Sequence, residues 1–128
     1  MVALVGTGTA GATLRRRLVD ETAHAPHLID AEVGNVVRRL TQRGELNAAQ
    51  AEALIVSGLA LVDHRYEVTA GLARAAWALR DNVTFYDGLY VGLAGALDVP
   101  LLTADARLGR VVSRVCRLEV IAEPGWGS

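Results

Sequence analysis

The sequence predicts an α/β fold of three layers, a central parallel sheet flanked by helices. Three observations predict it. Short apolar runs suited to buried strands alternate along the chain with longer segments of helical period. The composition is 52% hydrophobic, enough for a packed core. The length of 128 residues suits one domain over residues 1–128, with no repeat, low-complexity tract or linker to divide it.

Residues 1–5 form a short apolar run, followed by the glycine-rich stretch 6–11. Residues 12–21 read as a helix with Leu14 and Leu18 on one face. His24-Ala-Pro-His27 reads as an extended or turn segment and a poor strand, because Pro26 disfavours helix in the residue before it. Over residues 28–43, Val33, Val36, Val37 and Leu40 recur at i, i+3, i+4 and i+7, an amphipathic helix that Gly44 stops. Asn47 caps a second helix running toward Leu59. Residues 59–62 make a short strand candidate, and residues 69–79 a helix aligning Leu72, Ala76 and Leu79. Residues 85–97 are the most apolar helix, 99–103 a buried strand, 106–112 a short helix and 118–122 a final strand. Residues 123–128 read as a loose end with Trp126.

The net charge of −1 provides no global attraction to nucleic acid, so any RNA contact must be local. All basic side chains are arginines, which suits bidentate phosphate contacts and equally suits a GC-rich genome. The single cysteine, Cys116, excludes an intrachain disulfide and a cysteine zinc site, and fits a reducing compartment. No apolar run approaches the roughly 20 residues that span a bilayer, and the N-terminus does not read as a signal peptide. The expectation is a cytoplasmic protein without a membrane partner.

Gly6-Thr-Gly8-Thr-Ala-Gly11 matches G-x-G-x-x-G, with Asp30 and Glu32 about 20 residues on, where a ribose ligand would sit. The poor strand before those acids, and their place inside a helical pattern, argue for a plain loop instead. A Rossmann-like nucleotide-binding module is the lesser alternative.

Three acids sit in apolar company. Asp87 shares a helix face with Tyr90, Val91 and Ala94, and Thr84-x-x-Asp87 also fits a capping box. Glu32 lies one turn before Val36, either a solvated helix-edge acid or the rim of a site that Asn35 shares. Asp105 follows the strand ending at Thr103, as a helix cap or as an acid at a strand's carboxyl end. Brought to one crevice, Glu32, Asp87 and Asp105 would repel unless a divalent cation neutralised them, and hard oxygen ligands favour Mg²⁺ or Mn²⁺. His24 and His27 lack helical metal spacing and read as ordinary loop or core histidines.

At these residues the chain resembles PIN-domain ribonucleases of the VapC toxin type, over about residues 11–121. The stretch from Ala25 through Glu32 to Asn35, the stretch from Thr84 through Asp87 to Tyr90, and Leu101-Leu-Thr103-Ala-Asp105 each resemble a segment carrying one of that family's acids. The resemblance implies a PIN-like fold with Glu32, Asp87 and Asp105 as catalytic and metal-binding acids, supported by Thr103 and Asn35. It implies Mg²⁺- or Mn²⁺-dependent cleavage of RNA, a VapB-like antitoxin partner and a homodimer. Arg38, Arg39, Arg43, Arg107 and Arg110 flank the acids as candidate phosphate contacts, each equally at home on a solvated helix face. One departure stands out. The family opens on a strand ending in aspartate, whereas residues 1–5 align with the helix after it, and no acid precedes Asp20. The first strand and its aspartate are therefore expected upstream of Met1. The alternative is a catalytically silent PIN domain that still binds antitoxin or RNA.

Overall fold

The computed structural model describes residues 2–4, 16–103 and 107–121. Five strands, β1 (Val2–Leu4), β2 (Ala23–Pro26), β3 (His64–Tyr66), β4 (Leu101–Thr103) and β5 (Leu118–Val120), form one sheet in the order β3-β2-β1-β4-β5. Every neighbouring pair is parallel. The connections carry α1 (Leu28–Gln42), α2 (Ala48–Ala60), α3 (Ala70–Ala78), α4 (Phe85–Leu97) and α5 (Leu108–Val112). The strand order reverses at β1, with β2 and β3 to one side and β4 and β5 to the other. Open parallel sheets bind ligands outside the carboxyl ends of the strands at such a reversal.

The expected helices form where their periodicity put them. Ile29, Val36 and Val37 are the buried residues of α1. Asn47 caps α2 and exchanges bonds with Gln50, Oδ1 accepting from the Gln50 N–H at 2.8 Å and the Asn47 N–H donating to Oε1 at 2.9 Å. Thr69 and Thr84 cap α3 and α4 by accepting from the N–H groups of Leu72 and Asp87. The core gathers around α4 and β4, where Tyr90, Val91, Leu101 and Leu102 are buried. Arg17, in the segment before β2, grips Glu119 of edge strand β5 with two bonds of 2.8 Å.

Three expectations need correction. Residues 1–5 were expected to open a helix, with the first strand lying upstream of Met1; instead Val2–Leu4 is the central strand. Its Val2 and Ala3 pair with β2, and its Ala3 and Leu4 pair with β4. An apolar run suits a central strand of a parallel sheet, and its backbone supplies bonds that β2 and β4 would otherwise lack between them.

The segment whose sequence reads as a poor second strand is β2, and all four of its residues are buried. Ala23 and Ala25 have no exposed surface. Pro26 stands at the strand's last position, and the ladder resumes when the His27 N–H donates to the Tyr66 carbonyl at 3.0 Å. His24 is met inside by its neighbours on β3, although its buried Nε2 has no hydrogen-bond partner among the described residues. The His64 ring stacks on it at 5.1 Å, and its Nδ1 lies 2.7 Å from the Tyr66 hydroxyl. Burial, with the neighbouring His64, holds its pKa below the ordinary histidine value.

Residues 59–62 were expected to be a strand, but they end α2 and link it to β3. The helical bonding runs on as the Leu61 N–H reaches the Gly58 carbonyl at 3.2 Å, and Val62 is buried in the core. The strand is the more polar His64–Tyr66, which the sheet edge permits.

Gly6, Gly8, Gly11, the first residues of the helix expected over 12–21, Asp105 and Trp126 lie outside the described residues. Among the described residues no helix is long and apolar enough to cross a membrane.

The approach of α3 to α4 has little slack. A Cβ on Gly88 would stand 3.0 Å from the Ala76 carbonyl oxygen and 3.1 Å from its Cα. Backbone cannot retreat as a flexible side chain can, so Gly88→Ala is expected to destabilise the fold by about 1–3 kcal/mol. Urea unfolding measures this, and an unchanged midpoint would show that the two helices separate freely.

Candidate acidic site

Local structure brings two of the predicted acids together. Glu32 occupies the second turn of α1, the helix that leaves the carboxyl end of β2. Asp87 occupies the first turn of α4, after the Thr84 cap. Between them stands Tyr90, one turn beyond Asp87 and with 0% exposure. A phenol buried so completely needs a partner for its hydroxyl. It finds one across the layer, donating to Oε1 of Glu32.

The electrostatics identify the pair as coupled. Burial raises the Glu32 pKa above the ordinary carboxylate value, the Tyr90 bond opposes that rise, and the charge of Asp87 adds to it. Tyr90 is pushed far above its ordinary value, first by burial, then by the bond to Glu32, then by the charges of Glu32, Asp87 and Asp30. It therefore remains a protonated donor at any working pH. The site thus holds two like-charged, partly buried carboxylates and one fixed hydroxyl. Hard oxygen donors that repel one another suit a divalent cation, which replaces repulsion by shared attraction. Among the described residues no group of three or more His, Cys, Asp or Glu side chains forms a ready metal cage.

The remaining candidates divide. Thr103 is buried at the carboxyl end of β4, two positions before Asp105, which lies outside the described residues. Asn35 and Arg39, three and seven residues after Glu32, follow its side of α1, whereas Arg38 points about 120° away by helix geometry. All three are exposed, as are Arg43 at the end of α1 and Arg107 and Arg110 at the start of α5. Asp30, the other acid at ribose-ligand distance from the glycines, is taken by Arg65, whose Nε lies 2.9 and 2.8 Å from its two carboxylate oxygens. Arg65 also donates to the carbonyls of Val62 and Leu59, so this pair ties α1 to the start of β3. Both Asp30 and Glu32 lie within α1 rather than on a strand, while the glycines of the motif lie outside the described residues.

Tyr90 is the participant that the acid motifs alone do not name. Its signal is present in the sequence as a hydroxyl-bearing side chain within the most apolar helix, three residues after Asp87.

The raised pKa of Glu32 has a consequence for stability. A carboxyl group whose pKa is higher folded than unfolded stabilises the fold below its unfolded value and loses that contribution as pH rises through the folded value. At pH 7 ionised Glu32 is therefore a liability in the metal-free protein. Glu32→Gln, which keeps an acceptor for Tyr90, is expected to raise the thermal midpoint in EDTA at pH 7, and the gain is expected to shrink toward pH 4.5. A midpoint that falls at pH 7 would show that the charge is well solvated.

Residues 1–113 match the family described as PIN domain. Ribonuclease VapC1 of Mycobacterium tuberculosis is 44% identical over 119 residues, 93% of this chain and 90% of that protein. Ribonuclease VapC9 of the same species is 37% identical over 121 residues, 94% and 91% of the two chains. Among solved structures, the DNA-bound VapBC complex of Salmonella typhimurium contains a chain that matches with a TM-score of 0.67 at 15% identity, over 93% of this chain and 96% of that one. The VapBC2 complex of Rickettsia felis with a promoter DNA fragment matches with a TM-score of 0.65 at 15% identity, over 95% and 100%. At these identities the two structures speak for the fold.

Proposed function

Because this chain belongs to the PIN-domain family, we propose that it is a metal-dependent endoribonuclease, the toxin of a toxin–antitoxin pair. The observation that carries the reading is the bond from the Tyr90 hydroxyl to Glu32, which ties the acid on α1 to α4 one turn beyond Asp87. The names of the 44% and 37% identical relatives support the ribonuclease activity.

Glu32, Asp87 and Asp105 are the residues that would hold Mg²⁺ or Mn²⁺, with Thr103 and Asn35 in support. Bound there, the ion would lower the pKa of a water for in-line attack on the phosphodiester and offset charge on the leaving oxygen. Tyr90 holds Glu32 in place and opposes the rise that burial gives its pKa. Asp87, on the rigid first turn of α4, sets the distance between the two carboxylates, on which in-line geometry depends. Arg39, with Arg38, Arg107 and Arg110, contacts flanking phosphates. A VapB-like antitoxin covers the acidic crevice in the cytoplasm, and the toxin pairs as a homodimer.

A second reading rests on one observation. No acid precedes Asp20, so β1 brings no carboxylate to the strand ends. That favours a PIN domain that binds RNA or antitoxin without cutting. The deciding test is Mg²⁺- or Mn²⁺-dependent cleavage of single-stranded RNA by this chain and by a version extended upstream of Met1. Cleavage by this chain alone supports the enzyme and removes the silent reading. Cleavage by the extended form only shows that the given residues do not suffice for the activity. Silence from both, with RNA or antitoxin still bound, favours the binding domain.

A further inference from the structure

The α3–α4 turn carries an unusual surface. The chain has six aromatic residues, and three stand exposed here: Trp77 at 60%, Phe85 at 42% and Tyr86 at 61%. Large aromatic side chains left in water at one place mark an interaction site more often than chance. Trp77 and Phe85 face an open groove lined also by Ala73, Arg74, Ala78 and Arg80. The Arg80 guanidinium already lies 5.1 Å over the Trp77 ring, anchored by a 3.1 Å bond to the Trp77 carbonyl. Phe85, Tyr86 and Asp87 are consecutive in the first turn of α4. Side chains one residue apart fan around a helix by about 100°, so Tyr86 points between Phe85 and Asp87.

We propose that Trp77, Phe85 and Tyr86, with Arg74 and Arg80, form a platform on which unpaired bases of single-stranded RNA stack while the backbone passes Asp87; this rests on the ribonuclease reading above. Flat rings beside guanidinium groups match flat bases joined by phosphates. The lining has no Leu, Ile, Val or Met to grip an amphipathic protein helix, which favours nucleic acid over a protein segment. Stacking also explains how a chain of net charge −1 holds a polyanion. Every base has a ring face, and two arginines suffice locally. The platform selects unpaired RNA, because a duplex keeps its ring faces within its own stack.

The test is the affinity of the whole chain, in EDTA, for a fluorescent single-stranded oligouridine and for an RNA duplex of the same length, as salt is varied. Trp77→Ala and Tyr86→Ala are expected to weaken single-strand binding about tenfold each, with duplex binding and the salt slope unchanged. Trp77→Phe should recover most of the loss. Arg74→Ala should instead reduce the magnitude of the salt slope by about 0.7, one phosphate contact. All three side chains lie on the surface, so unchanged thermal midpoints exclude unfolding as the cause. Unchanged single-strand affinity in Trp77→Ala and Tyr86→Ala overturns the platform. So does a surface that proves to be self-associating, with sedimentation altered by these variants and RNA affinity intact. Failure of the ribonuclease reading looks different: ring-dependent binding in EDTA persists, but no form cuts in Mg²⁺. Cleavage with an unchanged KM in Trp77→Ala removes the platform and leaves the enzyme standing.

Discussion

Asp87→Asn is expected to abolish RNA cleavage, by at least about 100-fold, while leaving the fold intact. The loss follows from the role proposed for this carboxylate. A neutral amide holds a hard cation poorly, and a misplacement of about 1 Å in a site built for in-line attack already costs about 100-fold. The retention of structure follows from what Asp87 does locally. Its backbone N–H meets the Thr84 cap, a bond that the amide side chain leaves in place, so the start of α4 survives the change. Neutralising it also removes the like charge that helps raise Glu32. The thermal midpoint in EDTA should therefore hold or rise at pH 7. Labelled single-stranded RNA in Mg²⁺, with melting curves of the same preparations, checks both halves. Cleavage at the parent's rate would remove Asp87 from the chemistry, and a collapsed fold would make it a structural acid.

At Tyr90 the expected losses fall on stability. Tyr90→Ala empties a fully buried aromatic site between α4 and the sheet and should cost about 3–5 kcal/mol. Tyr90→Phe keeps the ring and removes only the hydroxyl that donates to Glu32. A partly buried carboxylate then loses its donor, a cost of about 1–3 kcal/mol at pH 7. That cost should narrow as pH falls below the raised Glu32 value, because a protonated carboxyl group needs the bond less. Urea unfolding in EDTA at pH 7 and pH 4.5 separates the two variants. A deficit in Tyr90→Phe that does not change with pH would show that Glu32 is satisfied elsewhere. A divalent cation should narrow the deficit of Tyr90→Phe at pH 7 by taking over the carboxylate, which an ordinary core hydroxyl would not explain.

How much was legible beforehand depended on how local the signal was. The helices α1 to α4 follow from apolar spacing and from Asn47 and Thr84, whose capping roles need only their immediate neighbours, whereas Thr69, expected inside its helix, proves to be the cap. Short strands carry no such signature. Val2–Leu4 reads equally as the start of a helix, and only the unfilled pairing between β2 and β4 makes it a strand. Ala23–Pro26 looks unfavourable because of its proline and histidine. It becomes a buried strand because His64 and Tyr66 meet His24 from the next strand. Residues 59–62 look strand-like by composition, but α2 continues into them and the polar His64–Tyr66 takes the edge.

The candidate site divides along the same line. The sequence by itself determined the alternation of helices with apolar runs, the caps, and the acids Glu32 and Asp87 in apolar settings, since each is a property of neighbouring residues. It also determined that no acid precedes Asp20. Only the tertiary structure decided that Glu32 and Asp87 feel one another, that Tyr90 donates to Glu32, and that Asp30 is bound by Arg65. These contacts join residues 35 to 58 positions apart. No short-range pattern encodes such pairings, because they exist only once the sheet order has folded distant segments against each other and removed the water between them.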